Sequence, residues 1–176
     1  SKKLFSVICI ARLALPKRFD IFCEAAKMLQ NEDIAFYWVG NKQPVDDLPS
    51  NVTCLGEIAN AHQLLEFCNV SILPSDYEGM PMSILESLCY GIPVIASNVG
   101  GIAEILNGEN GITLNNDASL FASAILKYKT DAELYNRTSL AARQSYNNNF
   151  TVNKMYDAYL ELYKDIYLLH DPIRTL

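Results

Sequence analysis

The stretch Pro74-Ser75-Asp76-Tyr77-Glu78-Gly79-Met80-Pro81-Met82-Ser83-Ile84-Leu85-Glu86-Ser87-Leu88-Cys89-Tyr90-Gly91 decides how the rest of the chain is read. It follows the apolar run Val70 to Leu73, which ends at Pro74, so it reads as strand, turn and helix. Pro81 suits the first position of a helix, where no backbone N–H is required. Gly91 stops that helix and Pro93 prevents its resumption. At about 100° per residue, Met82, Ile84, Leu85, Leu88 and Cys89 share one apolar arc. Ser83, Glu86, Ser87 and Tyr90 fall on the other side. Glu78 then sits in the loop before the helix and Glu86 well inside it. Both look into a cleft above the strand's carboxyl end, where open α/β sheets bind ligands.

A helix start offers free N–H groups and a partial positive charge, and Gly79 lets a ligand approach the backbone closely. Two acceptor carboxylates beside it suit a ligand that is anionic at one point and rich in hydroxyls elsewhere. A nucleotide sugar has that pattern. The plainer alternative makes Glu78 a turn residue and Glu86 a solvated helix carboxylate, and for an arbitrary pair of glutamates it is the stronger reading.

The wider pattern is more specific than the pair. Glu78 and Glu86, with seven residues between them, resemble the E-x7-E motif of retaining GT-B glycosyltransferases. The strings Pro-Ser-x-x-Glu-Gly, Leu-Glu-Ser, Gly-Ile-Pro-Val-Ile-Ala-Ser and Val-Gly-Gly-Ile-x-Glu resemble the family-4 group of these enzymes. The resemblance runs from about Leu4 to the last helix. It implies that Glu78 holds the sugar hydroxyls, with a covalent nucleophile as the less favoured alternative, and that Glu86 holds the ribose. It also implies that the helix start at Gly79, Met80 and Pro81 assists the diphosphate.

Working outward, Leu4 to Ile10 is an apolar, β-branched run suited to a strand buried on both faces. Ala11-Arg12-Leu13 follows, and Pro16-Lys17-Arg18-Phe19-Asp20 leads into a helix with Phe19, Phe22, Cys23 and Ala26 at helical spacing. Cations at a helix start oppose the helix dipole, so Lys17 and Arg18 are either ordinary surface charges or an anion site. The resembled Gly-Arg-Leu…Lys-Gly motif gives an arginine and a lysine to the donor diphosphate, which implies that role for Arg12 and Lys17. Ala11 and Arg18 depart from its glycines, so the path of this loop is open.

Further strands are expected at Ile34 to Val39, Val52 to Leu55, Pro93 to Ala96 and Gly111 to Leu114. Asp46-Asp47 lacks the interposed residue of a D-x-D motif and reads as solvated. Gly56-Glu57-Ile58 ends the third strand, and the resemblance places this loop near the nucleotide base, implicating Ile58. Asn60 is expected to cap a helix through Phe67, with His62 on its surface. Gly100-Gly101 either cradles an anion or packs closely in a turn. Asp117 and Asp131 are expected to cap two further helices. Asn147-Asn148-Asn149 ends the second of these, and Thr151 begins the last.

That terminal helix carries Tyr156, Tyr159, Tyr163 and Tyr167, spaced by three and four residues. They read as a packing stripe. The resemblance offers another reading, in which a helix over about 151–169 crosses onto an N-terminal, acceptor-binding domain absent from this chain.

With half of its residues apolar, the chain can bury a real core and is expected to form one domain over 1–176. A formal charge of −6 and a pI near 4.9 argue against general nucleic-acid binding. Five cysteines without a C-x-x-C pair read as reduced, buried thiols in a cytoplasmic protein. No apolar run reaches membrane-spanning length and no signal peptide opens the chain. Beginning at Ser1, it reads as cut from something longer.

Alternating strands and helices give a doubly wound, mainly parallel, Rossmann-like α/β sheet, which the resemblance makes one half of a GT-B fold. The function it implies is the donor-binding half of a retaining glycosyltransferase. Such an enzyme moves a hexose from a UDP- or GDP-sugar to a glycan or lipid-linked acceptor hydroxyl. No metal or other cofactor is required, since Arg12 and Lys17 take a metal's place. Any association with the membrane's inner face would come through the absent domain. The alternatives are a non-catalytic nucleotide-sugar-binding module, or a GT-B epimerase or glycogen-synthase-like enzyme.

Overall fold

The computed structural model describes residues 4–169. The apolar runs form six strands: β1 (Phe5–Ile10), β2 (Ile34–Val39), β3 (Val52–Cys54), β4 (Val70–Leu73), β5 (Val94–Ser97) and β6 (Gly111–Leu114). They make one sheet in the order β3-β2-β1-β4-β5-β6, and every strand pair is parallel. From β1 the chain passes to β2 on one side, and from β4 to β5 on the other. The order therefore reverses between β1 and β4, and a crevice opens at their carboxyl ends.

The helices are α1 (Phe19–Met28), α2 (Met82–Tyr90), α3 (Ile102–Ile105), α4 (Ala118–Thr130), α5 (Ala132–Ser145) and α6 (Val152–Leu169). Both faces of the sheet are covered, which is why its strands are apolar without alternation. Val7 and Cys9 of β1 join a large cluster with α1, whereas Ile8 between them joins a smaller one with Leu65 and Ile92. Phe22 of α1 meets Phe36 edge-on at 5.6 Å and Trp38 at 5.2 Å. Burial of each such ring is worth roughly 1.5–3 kcal/mol.

Local signals hold in several places. Gly91 closes α2 in the left-handed conformation (φ 70°), as a C-terminal glycine does. The Asp117 carboxylate accepts from the Ser119 and Leu120 N–H groups, and Asp131 accepts from Leu134 N–H. Thr151 Oγ1 accepts from Lys154 N–H at 3.3 Å.

Other expectations are corrected. Pro81 is not the first helical residue: its backbone is extended (ψ 119°) and α2 starts at Met82. Met82 is exposed and not part of the buried arc, while Ser87 is fully buried because its hydroxyl donates to the Ser83 carbonyl at 2.7 Å. Asn60 is itself left-handed (φ 57°) and makes no side-chain cap, and Ala61–Phe67 is a 3-10 helix. α5 ends at Ser145, as expected, but the asparagine run is itself helical, a π-helical turn over Tyr146–Phe150, and the extended Thr151 (ψ 156°) separates it from α6. Tyr156, Tyr159, Tyr163 and Tyr167 are no packing stripe within this chain, since each is more than half exposed. Of the five free thiols only Cys9 is fully buried, and the other four are partly so. Burial pushes the Cys9 thiol up, that of Cys23 to about 12 and that of Cys68 to about 11. Among the described residues, no helix is long and apolar enough to cross a membrane.

Candidate functional site

The turn after β1 and the turn after β4 lie side by side, at the reversal of strand order. Arg18 N–H donates to the Pro74 carbonyl at 3.0 Å and Asp76 N–H to the Pro16 carbonyl at 2.9 Å. Lys17 thereby stands opposite Ser75 in a short antiparallel bridge. From this position the Lys17 ammonium pairs with the Glu78 carboxylate. Glu78 is 9% exposed and Lys17 17%. A carboxylate so enclosed is stable only when paired. Sequence reading selected both residues, but the contact between them, 61 positions apart, is a product of the fold.

The Glu78 turn is held from below by Gly100-Gly101. The Gly101 N–H donates to the Glu78 carbonyl at 3.2 Å. A Cβ on Gly100 (φ 52°) would lie 1.8 Å from that carbonyl oxygen, and one on Gly101 would lie 2.5 Å from the Gly79 oxygen. Close packing, and not anion binding, explains both glycines. Gly79 has open space in front of it, and Met80 is exposed. No side chain caps α2, and of its first-turn N–H groups Ile84 donates to the Pro81 carbonyl at 3.1 Å.

Arg12 extends from the end of β1 into solvent. Among the described residues its guanidinium has no hydrogen bond or ion pair. Gly40 follows β2 at φ 119°, and a Cβ there would lie 2.4 Å from the Ala11 carbonyl oxygen, so glycine lets the Arg12 turn settle onto β2. The Gly40 N–H donates to the Gly56 carbonyl at 2.8 Å, and Asn41 Oδ1 accepts from Gly56 N–H at 2.8 Å, which ties in the loop after β3. Two clefts result. One, of about 310 Å³, brings Arg12 together with Glu57, Ile58 and Ala61. The other, of about 380 Å³, sets Arg12 beside Lys42, Gln43 and Pro44. Ile58 is therefore in the same cleft as Arg12. Lys17, Glu78 and Glu86 line neither of these two clefts.

Glu86 projects from α2 towards the 3-10 helix, where His62 Nδ1 lies 3.9 Å from its Oε1. The His62 ring also stands 6.3 Å from that of Tyr90. Reading His62 as a bare surface residue missed this pairing. Asp46 and Asp47 are exposed, and no cluster of three His, Cys, Asp or Glu among the described residues is placed to hold a metal ion.

The arrangement places a paired cation, an enclosed carboxylate and a helix start without a side-chain cap around one turn, with the unpartnered Arg12 just past the end of β1 in the neighbouring clefts. The chain is 31% identical over 178 residues to the Escherichia coli UDP-Gal:alpha-D-GlcNAc-diphosphoundecaprenol alpha-1,3-galactosyltransferase, covering 92% of this chain and 46% of that protein. It is 27% identical over 161 residues to the E. coli O-antigen biosynthesis glycosyltransferase WbnH, covering 88% of this chain and 45% of that one. The chain thus spans about half the length of the curated relatives it matches. In structure it is similar to Anabaena Alr3699/HepE in complex with UDP-glucose, with TM-score 0.83 at 21% identity over 92% of this chain and 49% of that one. That likeness identifies the sheet as a Rossmann-like half of a GT-B fold. The family model described as "Glycosyl transferases group 1" matches residues 5–131, and the chain belongs to that family.

Proposed function

We propose that the chain is the donor-binding half of a retaining glycosyltransferase. It would take a hexose from a UDP- or GDP-sugar to a hydroxyl of a glycan or lipid-linked acceptor. The observation that carries this reading is the Lys17–Glu78 pair beside the uncapped start of α2, with Arg12 unpaired just past the end of β1. A departing diphosphate needs positive charge as the glycosidic bond breaks, and an oxocarbenium-like sugar needs its hydroxyls held. Arg12, Lys17 and the N–H groups around Gly79 and Met80 supply the first. Glu78 supplies the second, exchanging its bond to Lys17 for the sugar hydroxyls while Lys17 turns to phosphate. Glu86 holds the ribose hydroxyls and Ile58 flanks the base. The two cations serve where other transferases use a metal ion.

The acceptor is held by an N-terminal domain, a reading supported by relatives about twice as long as this chain. The exposed tyrosines of α6 face that domain. A lipid-linked acceptor at the inner membrane face is supported by the diphosphoundecaprenol substrate named for the E. coli relative. The test is transfer from labelled sugar nucleotides by the chain joined to its N-terminal half, with the product anomer read by NMR. Retained configuration, lost in Glu78→Ala, is expected. An inverted product would overturn the retaining mechanism, and absence of transfer from every donor would overturn the transferase reading.

A further inference from the structure

The turn after β1 is fastened by side chains as well as by its two backbone bonds. Arg18 Nη1 donates to Asp76 Oδ1 at 3.0 Å, and the same oxygen accepts from Asn116 Nδ2 at 2.9 Å. Asn116 Nδ2 also donates to the Ser75 carbonyl at 3.0 Å, and Asn116 Oδ1 accepts from the Ser97 hydroxyl. Ser97 Oγ in turn accepts from Ser75 N–H at 2.8 Å. On its other side, Arg18 donates from Nε and Nη2 to the Asp20 carboxylate, in the first turn of α1. Four segments are therefore joined around Ser75 and Asp76: the turn after β1, the turn after β4, the end of β5 and the loop after β6.

Arg18 stands where the resembled motif carries glycine, next to the lysine that would serve the diphosphate. Unlike Arg12, its charge is already matched by two carboxylates. Lysine is a point charge on a flexible stem, so its reach is set by where its backbone is held. When Glu78 exchanges Lys17 for a sugar hydroxyl, the ammonium loses its partner in this structure. Only the fastening of residues 16–18 to 74–76 then keeps it over the crevice.

We propose that Arg18, Asp76 and Asn116 are positioning residues that form a latch, which fixes Lys17 for the donor diphosphate. This inference rests on the donor-site reading above. The latch replaces a glycine turn with an ion pair, and it touches neither base nor ribose. Its effect is confined to phosphate.

The test is calorimetric titration of the full chain with UDP, GDP and ADP and with uridine, guanosine and adenosine. It compares the wild type with Arg18→Ala, Asp76→Ala, their double mutant and Asn116→Asp, which keeps its volume but loses the donor to Asp76. Each single change is expected to weaken the diphosphate about two- to fivefold, the scale of a partly exposed ion pair, and to leave the nucleoside unchanged. The double mutant should be no weaker than either single, because one linkage is broken in all three. Asp76→Asn, which keeps the shape and loses the charge, should follow the same pattern if Asp76→Ala does not fold. Tighter diphosphate binding by Asp76→Ala would overturn the latch, by showing Arg18 to be a phosphate ligand that Asp76 holds back. Unchanged diphosphate affinity, additive losses or an equal loss for the nucleoside would overturn it too. If the wild type binds none of the three diphosphates, the donor-site reading itself fails and the latch with it.

Discussion

Gly100→Ala is expected to damage fold and site together, by an amount the backbone geometry sets. Gly100 has φ 52°, where a residue with a Cβ costs about 1–2 kcal/mol. Its Cβ would stand 1.8 Å from the Glu78 carbonyl oxygen, against an ordinary contact of 3.4 Å, so the two backbones must part by 3.4 − 1.8 = 1.6 Å. That movement breaks the bond from Gly101 N–H to the Glu78 carbonyl, worth about 1 kcal/mol more. The total is roughly 2–3 kcal/mol, or a fall in melting temperature of about 4–12 °C for a chain of this size. The Glu78 carboxylate moves with its backbone, and a displacement of about 1 Å at a reacting centre costs about 100-fold in rate. Two other glycines separate these effects. Gly108→Ala meets the strain of a positive φ (89°) with nothing within 4 Å, and Gly79→Ala meets neither strain nor neighbour. Melting followed by circular dichroism should rank Gly79→Ala mildest, Gly108→Ala next and Gly100→Ala worst. Sugar transfer by the chain joined to its N-terminal half should fall steeply in Gly100→Ala and be unchanged in Gly108→Ala, Gly79→Ala serving the melting comparison alone because Gly79 borders the donor. If Gly100→Ala melts with Gly108→Ala and transfers normally, the close packing beneath Glu78 is not what positions it.

Further outcomes follow from the same geometry. Glu86→Ala should leave the melting temperature nearly unchanged, since this carboxylate is partly exposed, and weaken nucleotide binding by roughly 1.5–3 kcal/mol; calorimetry showing full affinity would leave Glu86 a plain surface carboxylate. Arg12→Ala should weaken diphosphate nucleotides far more than their nucleosides at no cost in stability, because the side chain has no partner among the described residues. Lys17→Met should do the same to binding and also lower the melting temperature, since it strands the enclosed Glu78 carboxylate; equal melting of the two variants would contradict that asymmetry. Burial raises the thiols of Cys9, Cys23 and Cys68, and only the thiolate is nucleophilic, so iodoacetamide at pH 8 should modify them only after unfolding. Mass spectrometry finding all three alkylated in the folded chain would contradict their burial.

The six strands were legible because a parallel sheet covered on both faces requires continuous apolar runs, and such runs as Val70 to Leu73 have no helical competitor of that length. Cap chemistry is local, so Asp117, Asp131 and Gly91 were legible as well. The misreadings arose where tertiary contact decided. Ser87 looks polar on a helical wheel but is buried, its hydroxyl satisfied one turn back. Met82 looks apolar but lies at the open start of α2. Asn60 has a capping residue's chemistry in a left-handed backbone that no short-range signal announces. At the site, Glu78, Arg12 and Lys17 stood out through the resemblance of their motifs, since the spacing of the two glutamates alone favoured a plain surface reading. The Lys17–Glu78 bond, the approach of His62 to Glu86 and the fastening of Arg18 by Asp76 each join distant segments, and no local pattern encodes them.

The central claim is that this crevice binds the diphosphate of a nucleotide donor. Calorimetric titration of the chain with UDP, GDP and ADP, each beside its own nucleoside, tests that claim most directly. The account predicts that at least one diphosphate binds about tenfold or more tighter than its nucleoside, the scale of one charge-assisted contact. It also predicts that the preference disappears when Arg12 and Lys17 are both neutralised. Equal affinity for diphosphate and nucleoside, or a preference that survives loss of both cations, would contradict it.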